Sequence, residues 1–179
     1  MMNEVTKGNW AGSWFNGDFF DIKTYSGFRG GSHADFRMPA HRLSPDVTDE
    51  ELGLVVLEAL SKSRFVLGTP RAGSVYPPDV EFDAELYDMN LSAERYQKWL
   101  AELMQSYGYK TKRALLKNMH SCSITKMQDI ITISPSHHEK LEAWGREKGD
   151  GIEDVIIPAD STPSEIGAAL RLAFSRCTG

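Results

Sequence analysis

Apolar residues alternate with polar ones in several short stretches of the chain, which is the pattern of half-buried β-strands. In the stretch from Trp10 to Tyr25, WAGSWFNGDFFDIKTY, aromatic and β-branched residues stand on both sides of Asn16-Gly17. Because Asn-Gly readily takes the positive φ angles of a tight turn, this stretch predicts two antiparallel strands. Further strands are predicted at 120–126, 129–134 and 155–158.

Other stretches repeat their apolar residues every three or four positions, which is the period of an amphipathic helix. One predicted helix begins at Thr48, which forms a capping box with Glu51, and another begins at Thr162, which forms one with Glu165. A third is predicted from Ser92 as its N-cap to Gly108, which ends it. The apolar faces consist of Leu52, Val55, Val56, Ala59 and Leu60 in the first, Ile166, Ala169, Leu170, Ala173 and Phe174 in the closing helix, and Tyr96, Trp99, Leu100, Leu103 and Tyr107 in the third.

Leu54 and Leu57 make the first helix apolar nearly all round, which predicts a central helix. The segment KTKRALLKN at 110–118 is interpreted as a strand, and a helix fits its residues as well.

Two further segments precede the closing helix. Ser136 and Glu139 have the spacing of a capping box, which predicts a short helix carrying Leu141 and Trp144. Residues 68–91 hold three prolines and two glycines without a sustained period, which predicts a long loop.

The order of these elements indicates the fold class. Strands that come in hairpins, with helices between them, favour an antiparallel or mixed sheet over a doubly wound parallel one. The 179 residues are enough for one well-buried core, whereas a second independent domain would be cramped. We therefore predict a single α+β domain over residues 1–179, with an antiparallel or mixed sheet and about four helices.

Composition narrows the class of protein. Hydrophobic residues at 41% and charged residues at 25% are ordinary for a soluble globular protein, and the net charge of −5 disfavours a nucleic-acid binder. The chain has no apolar run of the length that a signal peptide or a membrane span requires, so we expect a cytoplasmic protein without a membrane partner. Two cysteines, Cys122 and Cys177, are too few for a secreted disulfide framework and are expected to be reduced thiols.

The stretch YSGFRGGSHADFRMPAH at 25–41 concentrates residues that can carry chemistry. A phosphate-binding loop is excluded, because its Lys-Ser/Thr must stand directly before a helix. A metal site would use His33, Asp35 and His41, but their spacing matches no common zinc pattern, so neither a metal nor another cofactor is expected. The alternative to a binding protein is a small metal- or His-dependent hydrolase or nuclease that uses these three residues.

Two other polar clusters can be explained either by a function or by simple exposure to solvent. His137-His138 can act as an acid–base pair or can simply be solvated. Tyr107, Tyr109 and the basic residues of the following segment combine aromatic rings with positive charge, as RNA-binding surfaces do, and a solvated face explains them equally. The basic residues are Lys110, Lys112, Arg113 and Lys117.

The predicted loop is strongly acidic. It carries five carboxylates with apolar side chains between them, and the chain has no positive charge between Arg71 and Arg95. Charges interleaved with apolar anchors are typical of an interface that combines electrostatic steering with burial. The carboxylates are Asp79, Glu81, Asp83, Glu85 and Asp88, and the aromatic residues beside them include Phe82 and Tyr87.

The amino-acid sequences of four longer stretches resemble those of the contact-dependent growth inhibition (CDI) immunity proteins, and together they cover most of the chain. These stretches are TYSGFRGGSHADFRMPAHRLSPDVTDEELGLVVLEALSKSR, YGYKTKRALLKNMHSCSI, ITISPSHHEKLEAW and VIIPADSTPSEIGAALRLAFSRC. The resemblance implies a cytosolic protein that is not an enzyme and that binds and blocks the C-terminal toxin domain of a surface-delivered adhesin. It also implies a ribonuclease toxin, with an EndoU-type RNase as the first candidate.

With this resemblance the acidic loop becomes the hypothetical toxin-binding site, and 25–41 a signature that shapes the scaffold. We expect the glycines of the signature to turn the backbone and its Arg and Asp residues to pair with neighbours. The predicted toxin-binding residues are Asp79, Glu81, Phe82, Asp83, Glu85, Tyr87 and Asp88.

Overall fold

A computed structural model describes residues 6–29 and 31–179, and it confirms the predicted α+β fold with an antiparallel sheet and four α-helices in this part of the chain. The helices are α1 (Asp49–Ser61), α2 (Met89–Tyr107), α3 (Lys112–Leu116) and α4 (Pro163–Arg176). The strands are β1 (Gly8–Phe15), β2 (Phe20–Phe28), β3 (Gly31–Ala34), β4 (Ala40–Leu43), β5 (Val66–Leu67), β6 (Glu81–Phe82), β7 (His120–Met127), β8 (Ile130–Pro135), β9 (His137–Lys140), β10 (Ala143–Gly145) and β11 (Val155–Pro158).

The main sheet has seven strands in the order β11-β8-β7-β1-β2-β3, with β4 also paired to β2, and all of its pairs are antiparallel. The predicted hairpin is confirmed: Phe15 pairs with Phe20, and the four residues between them form the turn. Gly17 has a φ of +95° there, a conformation that costs a residue with a Cβ far more than glycine. Strands β7, β8 and β11 confirm the other three predicted strands.

Side chains of the sheet alternate between two hydrophobic clusters. On one face Phe20 and Ile22 belong to a core that α1 and α4 cover. On the other face Trp14 packs against a second cluster, which Trp99 of α2 and Leu115 of α3 help to build. The sheet is therefore covered by helices on both faces.

The capping boxes of α1 and α4 are present as predicted, but α1 is not buried all round. Thr48 and Glu51 cap α1 reciprocally, as Thr162 and Glu165 cap α4. Leu54 is 51% exposed, because α1 packs on the sheet and on α4 with only part of its surface. The prediction of a central helix was wrong in this respect.

Helix α2 begins earlier than predicted. Its N-cap is Asp88, whose Oδ1 accepts hydrogen bonds from the backbone N–H groups of Asn90 at 2.9 Å and Leu91 at 3.0 Å. Ser92 therefore lies inside the helix, although Gly108 ends it as predicted. The segment at 68–91 also contains strand β6 and a 3₁₀ turn, so it is less irregular than the predicted loop.

We expect Asp88→Ala to lower the free energy of unfolding by about 1 kcal/mol, because two backbone N–H groups lose their acceptor. Ser92→Ala is the matched control and is expected to change it by less than about 0.5 kcal/mol. Urea unfolding followed by circular dichroism measures both. Equal effects of the two substitutions would contradict the position of this cap.

Two segments differ from their predicted conformation. The segment KTKRALLKN was interpreted as a strand, with a helix as the alternative, and its residues 112–116 are helical. Thr111 caps this turn, and Leu115 and Leu116 are buried. The short helix predicted after Ser136 is instead the hairpin β9–β10, so that prediction was wrong. The Ser136 hydroxyl donates to the carbonyl of Ser121 at 2.6 Å instead of capping a helix.

The signature stretch forms β3 and β4 at the edge of the sheet. A Cβ on Gly27 would lie 2.0 Å from the carbonyl oxygen of Gly31, so only glycine permits this close approach of β2 and β3. Gly30, which was also expected to turn the chain, lies outside the described residues. The pairing predicted for Arg and Asp residues is confirmed for Asp35, which binds Arg64, and for Arg37, which binds Asp83.

Cys122 and Cys177 are free thiols whose sulfur atoms lie 3.5 Å apart. Among the helices of residues 6–29 and 31–179, none combines the length and the apolar composition that crossing a bilayer requires.

Candidate functional site

The acidic segment is held against the body of the protein by regular structure. Strand β6 pairs in parallel with β5, so that Glu81 lies beside Val66 and Phe82 beside Leu67. The 3₁₀ turn at Ala84–Tyr87 follows, and its buried Leu86 anchors it. The carboxylates of this segment are therefore presented from a fixed backbone.

Five of the seven predicted toxin-binding residues are exposed, and one of them, Asp88, caps α2. We call the other four the acidic surface: Asp79, Glu81, Phe82 and Glu85. Phe82 is 41% exposed and packs edge-on against Tyr76, with 5.1 Å between the ring centroids. Asp79 has only a long contact of 3.4 Å to the exposed Lys7. Charge and an exposed aromatic ring thus occur together, the combination expected of a docking surface.

Asp83 is buried and is already paired. Its carboxylate accepts from Arg37 Nε at 2.6 Å and from Arg64 Nη2 at 3.0 Å. The hydrogen bond from Arg37 and, after it, that from Arg64 hold the pKa of Asp83 well below its usual range, although burial acts in the opposite direction. Asp83 therefore positions the segment instead of facing a partner.

Tyr87 and Asp88 also serve the scaffold. The hydroxyl of Tyr87 donates to the carbonyl of Val66 at 2.7 Å, and its ring meets the edge of His33 at 4.9 Å. Asp88 is the N-cap of α2. A partner that meets the acidic surface would find these two groups occupied by internal contacts.

The structure does not bring His33, Asp35 and His41 together as a metal or catalytic site would require. In the sheet His33 pairs with Ser26 and His41 with Ile22, four residues apart along β2, or about 13 Å. No group of three potential metal-binding side chains occurs among the described residues.

Asp35 instead has the internal pairing expected of the signature, with a partner, Arg64, that the sequence did not reveal. Arg64 donates to its carboxylate from Nε at 2.7 Å and from Nη2 at 3.0 Å, and Ser26 donates at 2.6 Å. Burial raises the pKa of Asp35, but these hydrogen bonds outweigh burial and the net shift is downward. Arg64 thus bridges Asp35 of the signature to Asp83 of the acidic segment.

The other polar clusters have structural partners. His138 stacks on Trp144 at 4.8 Å, and His137 Nδ1 lies 2.7 Å from Thr178 Oγ1. In the basic cluster, Lys112 pairs with Glu142 at 2.9 Å. His137, His138 and Lys112 thus each have a partner within the protein.

Comparison with known proteins covers nearly the whole chain. The family model of CdiI, the CDI immunity protein, matches residues 9–177. The immunity protein CdiI-YPIII of Yersinia pseudotuberculosis serotype O:3 (strain YPIII) is 51% identical over 178 residues, which is 99% of this chain and 100% of that protein.

Two solved structures share the fold. A chain of the CdiA-CT/CdiI toxin and immunity complex from Yersinia pseudotuberculosis superposes with a TM-score of 0.92 at 50% identity, over 98% of this chain and 100% of that one. A protein of unknown function from Neisseria meningitidis, NMB0488, superposes with a TM-score of 0.79 at 41% identity, over 99% of each chain. The match of sequence and fold along almost the entire length places this chain in the CDI immunity protein family.

Proposed function

We propose that this protein binds the C-terminal toxin domain of a CDI adhesin in the cytoplasm and blocks it, and that this toxin is a ribonuclease, with an EndoU-type RNase as the first candidate. The observation that carries the proposal is the TM-score of 0.92 to a chain solved in a toxin and immunity complex. An inhibitor of this kind acts by stoichiometric binding, so it needs no catalytic residues of its own.

The acidic surface is consistent with the proposal that the toxin binds RNA. A ribonuclease must present a positive cleft to the phosphates of its substrate. Carboxylates offered from a fixed backbone can take the place of those phosphates and cover the cleft. The exposed ring of Phe82 provides an apolar anchor of the kind that contributes most of the binding energy at interfaces.

The test is direct binding. The protein is purified and titrated with its cognate CDI toxin domain, and RNA degradation by the toxin is followed with and without it. We expect a 1:1 complex with nanomolar affinity, about −12 kcal/mol, and loss of the nuclease activity. A toxin that is not bound, or that degrades RNA equally fast in the complex, contradicts the proposal.

The charges of the acidic surface are expected to act on the association rate. Replacing Asp79, Glu81 and Glu85 with Ser should slow association by about tenfold or more at low ionic strength and should weaken its salt dependence, because steering is lost. Asp83 and Asp88 are left intact, since their removal would disturb the fold. Stopped-flow mixing at low and moderate salt measures the effect.

The matched control replaces three exposed carboxylates on or near α1, Asp46, Glu50 and Glu58, with Ser. It removes the same net charge from another part of the surface. If the control slows association as much as the test variant does, net charge and not the acidic surface governs docking.

A further inference from the structure

A cleft of about 650 Å³ opens between α2 and the second face of the sheet, and its residue Arg95 donates to the carbonyl of Glu85 on the acidic surface. Its walls include six aromatic side chains and come mainly from β1, β2, α2, the signature stretch and the β9–β10 hairpin. The aromatic residues are Trp14, Tyr25, Phe36, Tyr96, Trp99 and Trp144. A concave site of this size, apolar with a few polar groups, is suited to receive a side chain or a small ligand.

The carboxylates at this cleft are neutralised within the protein. Asp21, buried beneath it, accepts from Arg42 Nε at 3.2 Å and from the indole N–H of Trp99 at 3.1 Å. Arg42 also pairs with Glu102 at 3.2 Å, and Asp35 is paired with Arg64. These groups leave little negative charge to attract a cation into the cleft.

Two cations of the cleft have no carboxylate partner in the described part of the chain. Lys23 makes no salt bridge or hydrogen bond with its ammonium group, which lies 3.8 Å from the ring centroid of Trp99 and 5.1 Å from that of Trp14. Arg95 donates only to the carbonyl of Glu85, at 3.0 Å, and its guanidinium stacks on Phe36 at 3.6 Å. Since Arg95 precedes Trp99 by one helical turn, the two cations lie on the same side of α2.

We propose that this cleft receives a carboxylate side chain of the toxin, which pairs with Lys23 at the face of Trp99. The inference rests on the proposed function and extends the contact from the acidic surface into the protein. The interface would then combine two signs of charge, with basic groups of the toxin on the acidic surface and one acidic group in the cleft. Such a pattern fixes the register of docking and discriminates against other toxins.

The charged residues around the cleft favour a carboxylate on a protein, as its occupant, over the phosphates of a nucleic acid. Glu85, whose carbonyl accepts from the cleft residue Arg95, lies beside the cleft, and Glu81 and Asp79 belong to the same acidic surface. An extended polyanion would have to pass these charges. A toxin that is otherwise basic is attracted by the acidic surface, and its single carboxylate is attracted by Lys23 within the cleft.

The ionisation of Lys23 gives the pairing a pH dependence. Burial lowers the pKa of Lys23 to about 8; Asp21 and Glu102 oppose that shift, and Arg42 adds to it. A bound carboxylate raises this pKa again, so the contribution to affinity is full below about pH 8 and is lost as the pH rises through the pKa of the complex.

The test compares Lys23→Met with the parent in calorimetric titrations of the toxin domain at pH 7 and pH 9. We expect at least about a 30-fold rise in Kd at pH 7, because a charge pair shielded from water is lost. The ratio of Kd values between variant and parent should shrink at pH 9. Lys148→Met, at an exposed position in the loop before β11, is the control and should bind like the parent.

Further measurements keep the outcomes distinct. If Lys23→Met does not fold, Arg95→Gln takes its place and should raise Kd by about fivefold or more. A folded Lys23→Met that binds the toxin as tightly as the parent overturns this inference, whereas a parent that does not bind the toxin overturns the proposed function. Binding of an RNA oligonucleotide by the parent, abolished by Lys23→Met, would assign the cleft to phosphate and also overturn the inference.

Discussion

Replacing Arg64 with Met is expected to lower the free energy of unfolding by about 3–5 kcal/mol. The guanidinium of Arg64 bridges Asp35, whose side chain is completely buried, and Asp83, whose side chain is 7% exposed. Arg37 can still pair with Asp83 in the variant, but Asp35 keeps only the Ser26 hydroxyl and a backbone N–H as donors. A buried carboxylate without its countercharge is among the costliest defects that a single substitution can create.

Chemical unfolding at neutral pH measures this loss, and Arg71→Met, at an exposed position, is the matched control with an expected change below about 0.5 kcal/mol. The pH dependence provides a second readout. Because the pKa values of Asp35 and Asp83 are lowered in the folded state, the parent has this stability above about pH 4 and loses it as the pH falls further. The acid-dependent loss should be smaller in Arg64→Met, and equal slopes would contradict the role of the bridge.

Phe174→Ala is expected to destabilise the protein by about 3–5 kcal/mol. Phe174 is only 7% exposed and lies between α4 and the sheet, where its ring centroid is 5.6 Å from that of Phe15 and 5.8 Å from that of Phe20. Truncation removes the contacts of the ring with both neighbours and leaves a cavity that the surrounding strands cannot fill completely.

Thermal and urea unfolding measure this effect, and Leu172→Ala on the same helix is the control. Leu172 is 46% exposed, so its truncation should change the free energy of unfolding by less than about 0.5 kcal/mol. An unchanged melting temperature for Phe174→Ala would contradict the assignment of this face of α4 to the core.

Sequence reasoning succeeded where the deciding contacts are local. The two capping boxes each join residues three positions apart, and the β1–β2 hairpin is set by alternation around Asn16-Gly17. It failed at Ser136, although the spacing to Glu139 is the same. There the hydroxyl bonds to Ser121 on β7, and the indole of Trp144 donates to the carbonyl of Met119, so contacts between distant residues decide the conformation.

The sequence by itself determined the fold class, the family resemblance and the acidic character of the segment before α2. Only the tertiary structure decided which carboxylates are free: Asp83 meets Arg37, 46 residues away, and Arg64, 19 residues away, whereas Glu81 stays exposed. Within residues 6–29 and 31–179 it likewise left Lys23 without a carboxylate partner in the cleft. Local patterns report charge and period, but pairing and burial depend on which distant residues the fold brings within hydrogen-bonding distance, and a single sequence does not contain those distances.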